Sequence, residues 1–260
     1  MGRTVTSLTN PTVKAVRALH LGKERESTGL FLAEGLKTVV EGVDTGQAPK
    51  VLMHAADADH PLLARAAAAT LAAGGEVIAV THEILAKVSR RDNPQAVAGV
   101  FEQRLRPLEK VLPDGATVVA LHRVRDPGNL GTIVRTADAA GCAGVILVGE
   151  CCDPFSVEAV RATMGSIFAV PLTRATESEF AAWRAGWPGS VVGTLLSAEV
   201  DHRQADYVRP TVILMGNEQQ GLPPDMAALC NVAVKIPMRG RADSLNLAVA
   251  TGVMIYAAMG

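Results

Sequence analysis

The sequence predicts an α/β protein built from two consecutive parts, a small α/β domain followed by a domain with a parallel sheet. Three observations support this. Short apolar stretches alternate with stretches of helical periodicity along the chain. A charged segment with two prolines, 104–115, interrupts the alternation. Hydrophobic residues make up 48% of the 260 residues, which suffices for a substantial core.

The first domain is predicted to span 1–106, with a linker at 107–116. A helix begins after Asn10, because Asn caps helices and Pro11 suits a first turn. Gly46 and the Gly74–Gly75 pair end two further helices, and Thr81 caps a fourth. The predicted helices are 10–27, 36–46, 61–75 and 81–89, and the predicted strands are 29–35, 50–54, 76–80 and 96–103.

The second domain is predicted to span 117–260. Its strands are continuous apolar runs separated by helices, which is typical of a parallel sheet covered on both faces. Ligands of such sheets bind at the carboxyl ends of the strands. The predicted strands are 116–124, 144–149, 167–172, 190–196, 210–216 and 232–238, and the predicted helices are 129–141, 155–165, 177–186, 223–230 and 244–259.

Composition excludes several classes of protein. The four cysteines include no C-x-x-C pair, and the six histidines are scattered, so neither a disulfide framework nor a metal site is expected. The stretch "MGRTVTSLTNPTVKAV" has no apolar core of signal-peptide length, and no apolar run of 18 residues, the length of a membrane span, occurs. We therefore expect a soluble, cytoplasmic protein with no metal and no membrane partner.

The charge is unevenly distributed. Lys and Arg exceed Asp and Glu by two over 1–106, whereas the acids exceed them by three over 107–260. This asymmetry indicates that the N-terminal domain meets a polyanion, although an ordinary solvated surface would look the same. Aromatic residues are only 3%, so if the polyanion is a nucleic acid, it would be recognised by its shape more than by base stacking. Candidates for phosphate contacts are Arg3, Lys14, Arg17, Arg90 and Arg91.

Three loops that follow strands carry unusual polar residues. In "DPGNLGTIVRTADAAG", Asn129 opens a helix and Arg135 lies within it. Asn129 could be a simple helix cap, but an Arg among small and apolar residues indicates an anionic partner. In "LMGNEQQGLP", Gly216 allows close approach of a ligand, and Glu218 stands at the end of a strand. The alternative is a glycine-rich turn with a solvated Glu.

The third loop, "KIPMRGRADSLNLAVATG", leads into the last helix. Ser244 could cap that helix, and Asp243 suits its N-terminal dipole. Capping alone does not explain a second polar residue, Asn246. No G-x-G-x-x-G, P-loop or G-x-S-x-G motif occurs at the required place, which leaves little support for hydride transfer, NTP hydrolysis or a serine hydrolase.

Taken together, "DPGNLGTIVRTADAAG", "LMGNEQQGL" and "IPMRGRADSLNLAVATG" resemble, in order and in spacing, the SpoU-type RNA ribose 2′-O-methyltransferases of the SPOUT superfamily. The chain is similar to the thiostrepton-resistance branch, whose members methylate an adenosine of large-subunit rRNA. The stretches "FLAEG" and "NPQAVAGV" resemble the substrate-binding domain that often precedes the catalytic one. The resemblance implies a deep trefoil knot in the C-terminal domain, a homodimer with the site at its interface, and S-adenosyl-L-methionine as cofactor.

The resemblance also implies roles for individual residues. The cofactor would lie against the knot loops, at Gly216, Ile236, Leu245, Leu214, Met215 and Met238. Arg135 would clamp a phosphate and stabilise the developing alkoxide, since a guanidinium does not act as a base. Asn129 would hold Arg135 or the ribose, and Glu218 would orient Arg135 or another cation. Ser244 and Asn246 would fix the methionine end, the ribose or the loop.

Arg161 matches a further position that often carries Arg in the family, and the resemblance implies an RNA phosphate contact there; an inert surface charge is the alternative. The expected substrate is 23S rRNA. The same motifs also fit a tRNA methyltransferase, and an RNA-binding or ribosome-assembly protein without activity could keep the fold. The modification would serve either antibiotic resistance or housekeeping modification of the RNA.

Overall fold

The computed structural model describes residues 3–111 and 116–260. Residues 112–115 of the predicted linker lie outside the described residues, as does the side chain of Arg3. The chain divides into two compact units: an N-terminal unit with Met1–Gln103 and Asp153–Ala169, and a C-terminal unit with Arg104–Cys152 and Val170–Gly260. Each unit is described by itself below.

The N-terminal unit is built on a five-stranded mixed sheet in the order β1-β4-β3-β5-β2, in which β5 runs antiparallel to both neighbours. Asn10 caps the first helix and Pro11 opens it, as predicted. The predicted helix 10–27 is two helices, interrupted at Leu19–Leu21, and the pairing of β1 with β4 was not predicted. The elements are β1 Arg3–Val5, α1 Pro11–Ala18, α2 Gly22–Thr28, β2 Leu30–Glu34, α3 Leu36–Asp44, β3 Val51–Ala55, α4 Pro61–Ala72, β4 Glu76–Val80, α5 His82–Ser89 and β5 Val97–Glu102.

Helices cover both faces of this sheet. Alternate residues of each strand point to opposite faces, so each face carries its own set of buried side chains. Leu32, Met53, Ile78 and Val100 pack with apolar residues of α1 and α5 on one face. On the other face, α3 lies so close to Phe101 that a Cβ at Gly42 would overlap its ring. Helices α1 and α5 therefore share one face, and α3 lies on the other.

The segment 153–169, predicted to belong to the C-terminal domain, is part of the N-terminal unit. Its helix α7, Val157–Thr163, packs on β2. Phe155 stacks on Phe31 with ring centroids 5.1 Å apart, and Asp153 pairs with the buried Arg25 at 2.7 Å. The compact units thus differ from the predicted domain ranges by this insertion, and the boundary at Gln103 lies three residues before the predicted one.

The C-terminal unit is built on a seven-stranded sheet in which every pair is parallel, as predicted; the order is β10-β12-β9-β11-β6-β7-β8. The elements are β6 Thr117–His122, α6 Pro127–Ala139, β7 Gly144–Val148, β8 Leu172–Ala175, α8 Glu177–Ala185, β9 Val191–Thr194, β10 Val200–Asp201, β11 Thr211–Met215, α9 Pro224–Ala227, β12 Val232–Lys235 and α10 Leu247–Met259. A 3₁₀ turn at Leu108–Lys110 precedes them, and Val111 after it packs into the core of this unit.

One predicted strand is wrong. The apolar run 167–172 is a series of turns up to Val170, and the strand β8 starts only at Leu172. Phe168 is buried against Phe101 instead, with centroids 4.6 Å apart, so its burial reflects a side-chain contact and not a strand. Among the described residues, no helix is long and apolar enough to cross a membrane.

Arg161 pairs with a carboxylate of the chain, and the RNA phosphate contact that the resemblance implied stays a prediction. Its guanidinium makes bidentate contacts with Glu34, at 2.8 and 3.2 Å, and donates to the carbonyl of Ser89 at 2.6 Å. The Glu34 side chain is only 3% exposed. A buried carboxylate needs a cation, and this need explains the position of Arg161 without RNA.

We expect Arg161→Met to destabilise the protein by about 3 kcal/mol, because it leaves the Glu34 carboxylate buried and unpaired. Arg65→Met is the matched control, because Arg65 pairs with Asp44 on the surface and its loss should cost less than about 1 kcal/mol. Urea unfolding measures both. Equal effects of the two variants would contradict the assignment.

Candidate active site

The three loops singled out in the sequence meet at the carboxyl edge of the seven-stranded sheet. Strands β6 and β11 are neighbours in register, with Leu121 opposite Met215, so the loops that follow them start side by side. Helix α10 packs against α6 and over both strands, which brings its N-terminus to the same edge. The loops at 123–126 and 216–222 and the start of α10 therefore form one site, as parallel-sheet geometry predicts.

The Glu218 carboxylate holds the first two loops together. It accepts hydrogen bonds from the backbone N–H groups of Arg125, at 3.3 Å, and Asp126, at 3.2 Å. It also accepts from the side-chain amide of Asn129 at 3.4 Å. These donors lie at the N-terminus of α6, where the helix dipole favours an anion. Glu218 is thus bound by backbone and amide groups, and within the described residues its carboxylate pairs with neither Arg135 nor another cationic side chain.

The hydrogen bonds fix the orientation of two amides in series. A carboxylate only accepts, so Asn129 must turn its NH2 group to Glu218. Its Oδ1 then accepts from the NH2 group of Asn246 at 2.8 Å. The Oδ1 of Asn246 is left to accept from the backbone N–H groups of Ala248 and Val249. One chain of hydrogen bonds therefore links the loop after β11, the start of α6 and the start of α10.

This arrangement corrects two interpretations of capping. Asp126, not Asn129, caps α6, because Pro127 occupies the first helical position and Asp126 Oδ1 accepts from the N–H of Asn129 at 2.6 Å. Asn246, not Ser244, caps α10. Ser244 is exposed and donates to the carboxylate of Asp243 at 3.1 Å. Both asparagines thus serve as connections between elements.

The turn after β11 has no room for a side chain at its first residue. A Cβ on Gly216 would overlap the backbone of Gly221 and Leu222. Asn217 and Gly221 exchange backbone hydrogen bonds at 3.1 and 2.9 Å across the turn. The amide of Asn217 also donates to the carbonyl of Arg123 at 2.8 Å. The turn is therefore compact and is joined to the loop after β6.

A cavity of about 480 Å³ lies between this turn, the end of β9 and the start of α10. Five of the predicted site residues line it, namely Met215, Gly216, Glu218, Ser244 and Leu245. Three predicted cofactor residues, Leu214, Ile236 and Met238, are not in its lining; Leu214 is fully buried in the core. The residues that sequence reasoning missed are Thr194–Ser197, Asn217, Gln219–Leu222, Asp243, Leu247 and Ala250.

A signal for part of this missed set was present in the sequence. Thr194–Ser197 directly follow the apolar run that ends β9, and the carboxyl end of a parallel strand is the expected place for a ligand. Leu196 is 81% exposed at this rim, which is unusual for a large apolar side chain. Asn217 stands beside Glu218 in the same motif, but its buried contact with Arg123 has no local signature.

Arg135 lies on α6 six residues after Asn129, so its side chain is rotated by roughly 120° around the helix from that of Asn129. It is exposed, and it has no hydrogen-bond or ion-pair partner among residues 3–111 and 116–260. The expected contact between Asn129 and Arg135 is absent. The guanidinium is thus available for an anion that does not belong to the described part of this chain.

A second polar group at this sheet edge consists of Glu177, His122 and Arg123, which contact one another. Glu177 Oε1 lies 2.8 Å from both Nε2 of the buried His122 and Nε of Arg123. The hydrogen bond from His122 holds the pKa of Glu177 below its ordinary value, and Arg123 acts in the same direction. Within the described residues, no group of three or more His, Cys, Asp or Glu side chains could hold a metal ion.

The remaining candidates lie in the N-terminal unit. Lys14, Arg17, Arg90 and Arg91 are exposed, the first two on α1 and the others directly after α5. Their proximity to RNA stays a prediction.

Comparisons with known proteins identify the family of the chain. The model of the SpoU rRNA Methylase family matches residues 116–256, and that of the MRM3-like substrate binding domain matches residues 10–99. The chain is similar to a solved structure of an AdoMet-bound rRNA methyltransferase from Sinorhizobium meliloti, with 52% identity, coverage of 98% of this chain and 97% of that chain, and a TM-score of 0.93.

Two curated relatives are named for their substrates. A 23S rRNA (uridine(2479)-2′-O)-methyltransferase from Streptomyces viridochromogenes is 31% identical over 91% of this chain and 84% of its own. A 23S rRNA (guanosine(2553)-2′-O)-methyltransferase from Bacillus subtilis is 29% identical over 97% of each chain. The family match covers more than half of the chain and includes all three loops that form the site. The chain therefore belongs to the SpoU rRNA methylase family.

Proposed function

We propose that the protein transfers a methyl group from S-adenosylmethionine to a ribose 2′-hydroxyl of 23S rRNA. The observation that carries this proposal is the chain of hydrogen bonds from Glu218 through Asn129 to Asn246, which assembles the three family loops around one cavity. The substrates named for the two curated relatives support the choice of RNA.

The cavity suits the cofactor. Leu222, Leu245 and Leu247 offer apolar surface for an adenine, and Ser197 and Ser244 offer hydroxyl groups. Gly216 has no side chain, so a ligand can approach the backbone there. S-adenosylmethionine supplies an electrophilic methyl group on a sulfonium. The N–H and C=O groups of Gly216 and Leu245 would hold its adenosine, while Ile236 and Met238 would support the loop from outside the cavity lining.

Arg135 would act on the RNA. A guanidinium stays protonated in proteins, so it cannot take the proton of the 2′-hydroxyl. It can hold a neighbouring phosphate through two parallel N–H donors and stabilise negative charge on the 2′-oxygen, with the proton passing to water or phosphate. Glu218, Asn129 and Asn246 act as positioning residues, since their donors and acceptors are used by the loops themselves.

A second copy of the chain would complete the site. Helices α6 and α10 leave a groove of about 500 Å³ lined by Thr132, Thr136, Val249 and Tyr256, among others. Val249 is 54% exposed and Tyr256 55% exposed, on a helix of almost entirely apolar residues. A monomer would leave this surface in water. Arg135 lies between Thr132 and Thr136 in sequence, so a partner bound to the groove would lie beside its guanidinium.

We infer that the C-terminal unit is knotted. Strand β12 pairs with β9 on the side away from β11, yet α10 packs on α6, β11 and β6. Residues 236–246 must therefore cross the carboxyl ends of β9 and β11, where the turn 216–222 stands. Passage of this segment through the loop would form the trefoil knot that the family resemblance implies.

The cofactor assignment predicts that Gly216→Ala abolishes binding of S-adenosylmethionine, because the added methyl group overlaps the backbone of the turn. Gly240→Ala is the control, since a Cβ there meets nothing within 4 Å. Isothermal titration calorimetry measures affinity, and circular dichroism establishes folding. A folded Gly216→Ala protein that binds with the wild-type affinity would refute the assignment.

The catalytic assignment predicts that Arg135→Ala lowers kcat by roughly 100-fold or more while cofactor affinity is retained. Arg135→Lys keeps the charge but loses the bidentate contact, so we expect an intermediate rate. Transfer of label from S-adenosylmethionine to ribosomal subunits, free rRNA and total tRNA measures the activity. Mapping by resistance to alkaline cleavage locates the 2′-O-methyl group. Label in tRNA alone would overturn the assignment of 23S rRNA as the substrate. No label on any RNA would favour a protein that binds RNA without methylating it.

The interface assignment predicts a dimer in solution that Val249→Glu converts to a monomer with little methyltransferase activity. Leu71→Glu is the control, because Leu71 is 61% exposed on α4, in the other unit. Light scattering coupled to size-exclusion chromatography measures the mass. A wild-type monomer with full activity would exclude the interface.

A further inference from the structure

Four cationic side chains surround a concavity at the C-terminal end of α5. Arg17 comes from α1, while Lys87, Arg90 and Arg91 come from the last turn of α5 and the residues after it. The concavity has a volume of about 300 Å³, and its lining consists of these four residues with Ala86 and Asp92. We call these four cations the α5 cluster. It includes Lys87, which the sequence did not single out.

A single carboxylate lies among the four cations of the α5 cluster. None of the four side chains makes an ion pair or a side-chain hydrogen bond within the described residues, and Asp92 is the one carboxylate in the lining. The positive charge of Arg90 also acts on the pKa of the neighbouring His20. Burial lowers the pKa of His20, and the charges of Arg90 and Arg161 lower it further, against the hydrogen bond to Val88. Cations held this close repel each other until an anion binds.

The backbone that carries the α5 cluster is held firmly. His20 Nε2 lies 2.7 Å from the carbonyl of Val88, and the guanidinium of Arg161 donates to the carbonyl of Ser89 at 2.6 Å. Arg90 has φ of 54°, in the left-handed region that non-glycine residues rarely adopt, and its N–H caps α5 at Ala86. A strained residue supported in this way is typical of a functional turn. Through its bond to the Ser89 carbonyl, the Arg161–Glu34 pair thus holds the backbone that carries the α5 cluster.

We propose that the α5 cluster binds consecutive phosphodiester groups of the substrate RNA and reads no bases. The inference rests on the proposed function for the identity of the RNA. No aromatic side chain lines the concavity, so bases have nothing to stack on, and the lining has only Ala86 as an apolar side chain. Guanidinium and ammonium groups without base-stacking partners position an RNA backbone independently of sequence. The site therefore contributes affinity and register, and leaves the choice of nucleotide to other residues.

The test compares two double variants of equal charge. Arg17→Gln/Lys87→Gln removes two cations of the α5 cluster and keeps the strained residue Arg90. Lys37→Gln/Arg65→Gln removes two exposed cations from α3 and α4. Fluorescence anisotropy with a 23S rRNA fragment and with total tRNA, at several salt concentrations, measures binding. Steady-state kinetics separates KM for RNA from kcat, and calorimetry measures cofactor affinity.

We expect the α5 double variant to weaken binding to both RNAs by roughly 10-fold or more and to reduce the slope of log affinity against log salt by about 1 to 2. KM for RNA should rise in proportion to the loss of RNA affinity, while kcat, cofactor affinity and the midpoint of urea unfolding stay at wild-type values. The control pair should leave the slope unchanged. An unchanged slope in the α5 variant, or an equal loss in the control, would overturn the proposal.

The outcomes also separate this inference from the proposed function. If the wild-type protein methylates no RNA but binds RNA in a way that depends on the α5 cluster, the function is wrong and the cluster assignment holds. If methylation is normal and the α5 variant has the wild-type KM, only the cluster assignment fails. Binding to vesicles rich in phosphatidylserine provides a third arm, and a loss confined to the vesicles would overturn the choice of RNA.

Discussion

The carboxylate of Glu218 is the interaction on which the rest of the active site depends. A charged acceptor receives three hydrogen bonds from the start of α6 and joins two loops that are 92 residues apart in sequence. Because a carboxylate cannot donate, it also sets the direction of the amides of Asn129 and Asn246. A neutral amide at position 218 could be satisfied in either orientation and would leave that order undetermined.

This constraint separates the residues that build the site from those that act in it. Asn129, Asn246 and Glu218 use their polar atoms on each other and on backbone groups. Arg135 lies on the same helix as Asn129 but faces away from this network and is exposed. Beside this network the Arg135 guanidinium is left without a partner in the described chain, so an anionic partner would come from a ligand or from another chain. Such preorganisation costs no rearrangement at the moment of reaction, which is how electrostatic catalysis in enzymes works.

The sequence predicted the parallel sheet, the three converging loops and most strands, because these follow from apolar periodicity and from strand ends. It did not predict that 153–169 packs in the N-terminal unit. Phe155 and Phe168 are apolar and buried, but hydrophobicity does not determine which core receives a side chain. The short run 167–172 also fits a strand as well as it fits a packed turn. Caps were misassigned by two or three residues, since Asp, Asn and Ser are all good caps and only tertiary contacts choose among them.

Arg135 and Arg161 show why an arginine in a family motif has to be interpreted from its environment. Both match motif positions, yet Arg161 meets a carboxylate that is 3% exposed, while Arg135 meets no partner in the described chain. Removal of Arg161 would leave the buried Glu34 carboxylate without a partner, so it would lower the stability of the protein whether or not RNA is bound. The same reasoning applies to the whole protein. With a net charge of −1, the chain has no general attraction for a polyanion, so any affinity for RNA has to come from local groups of unpaired cations. The number of such cations that meet the RNA therefore sets the number of phosphates that the protein can neutralise.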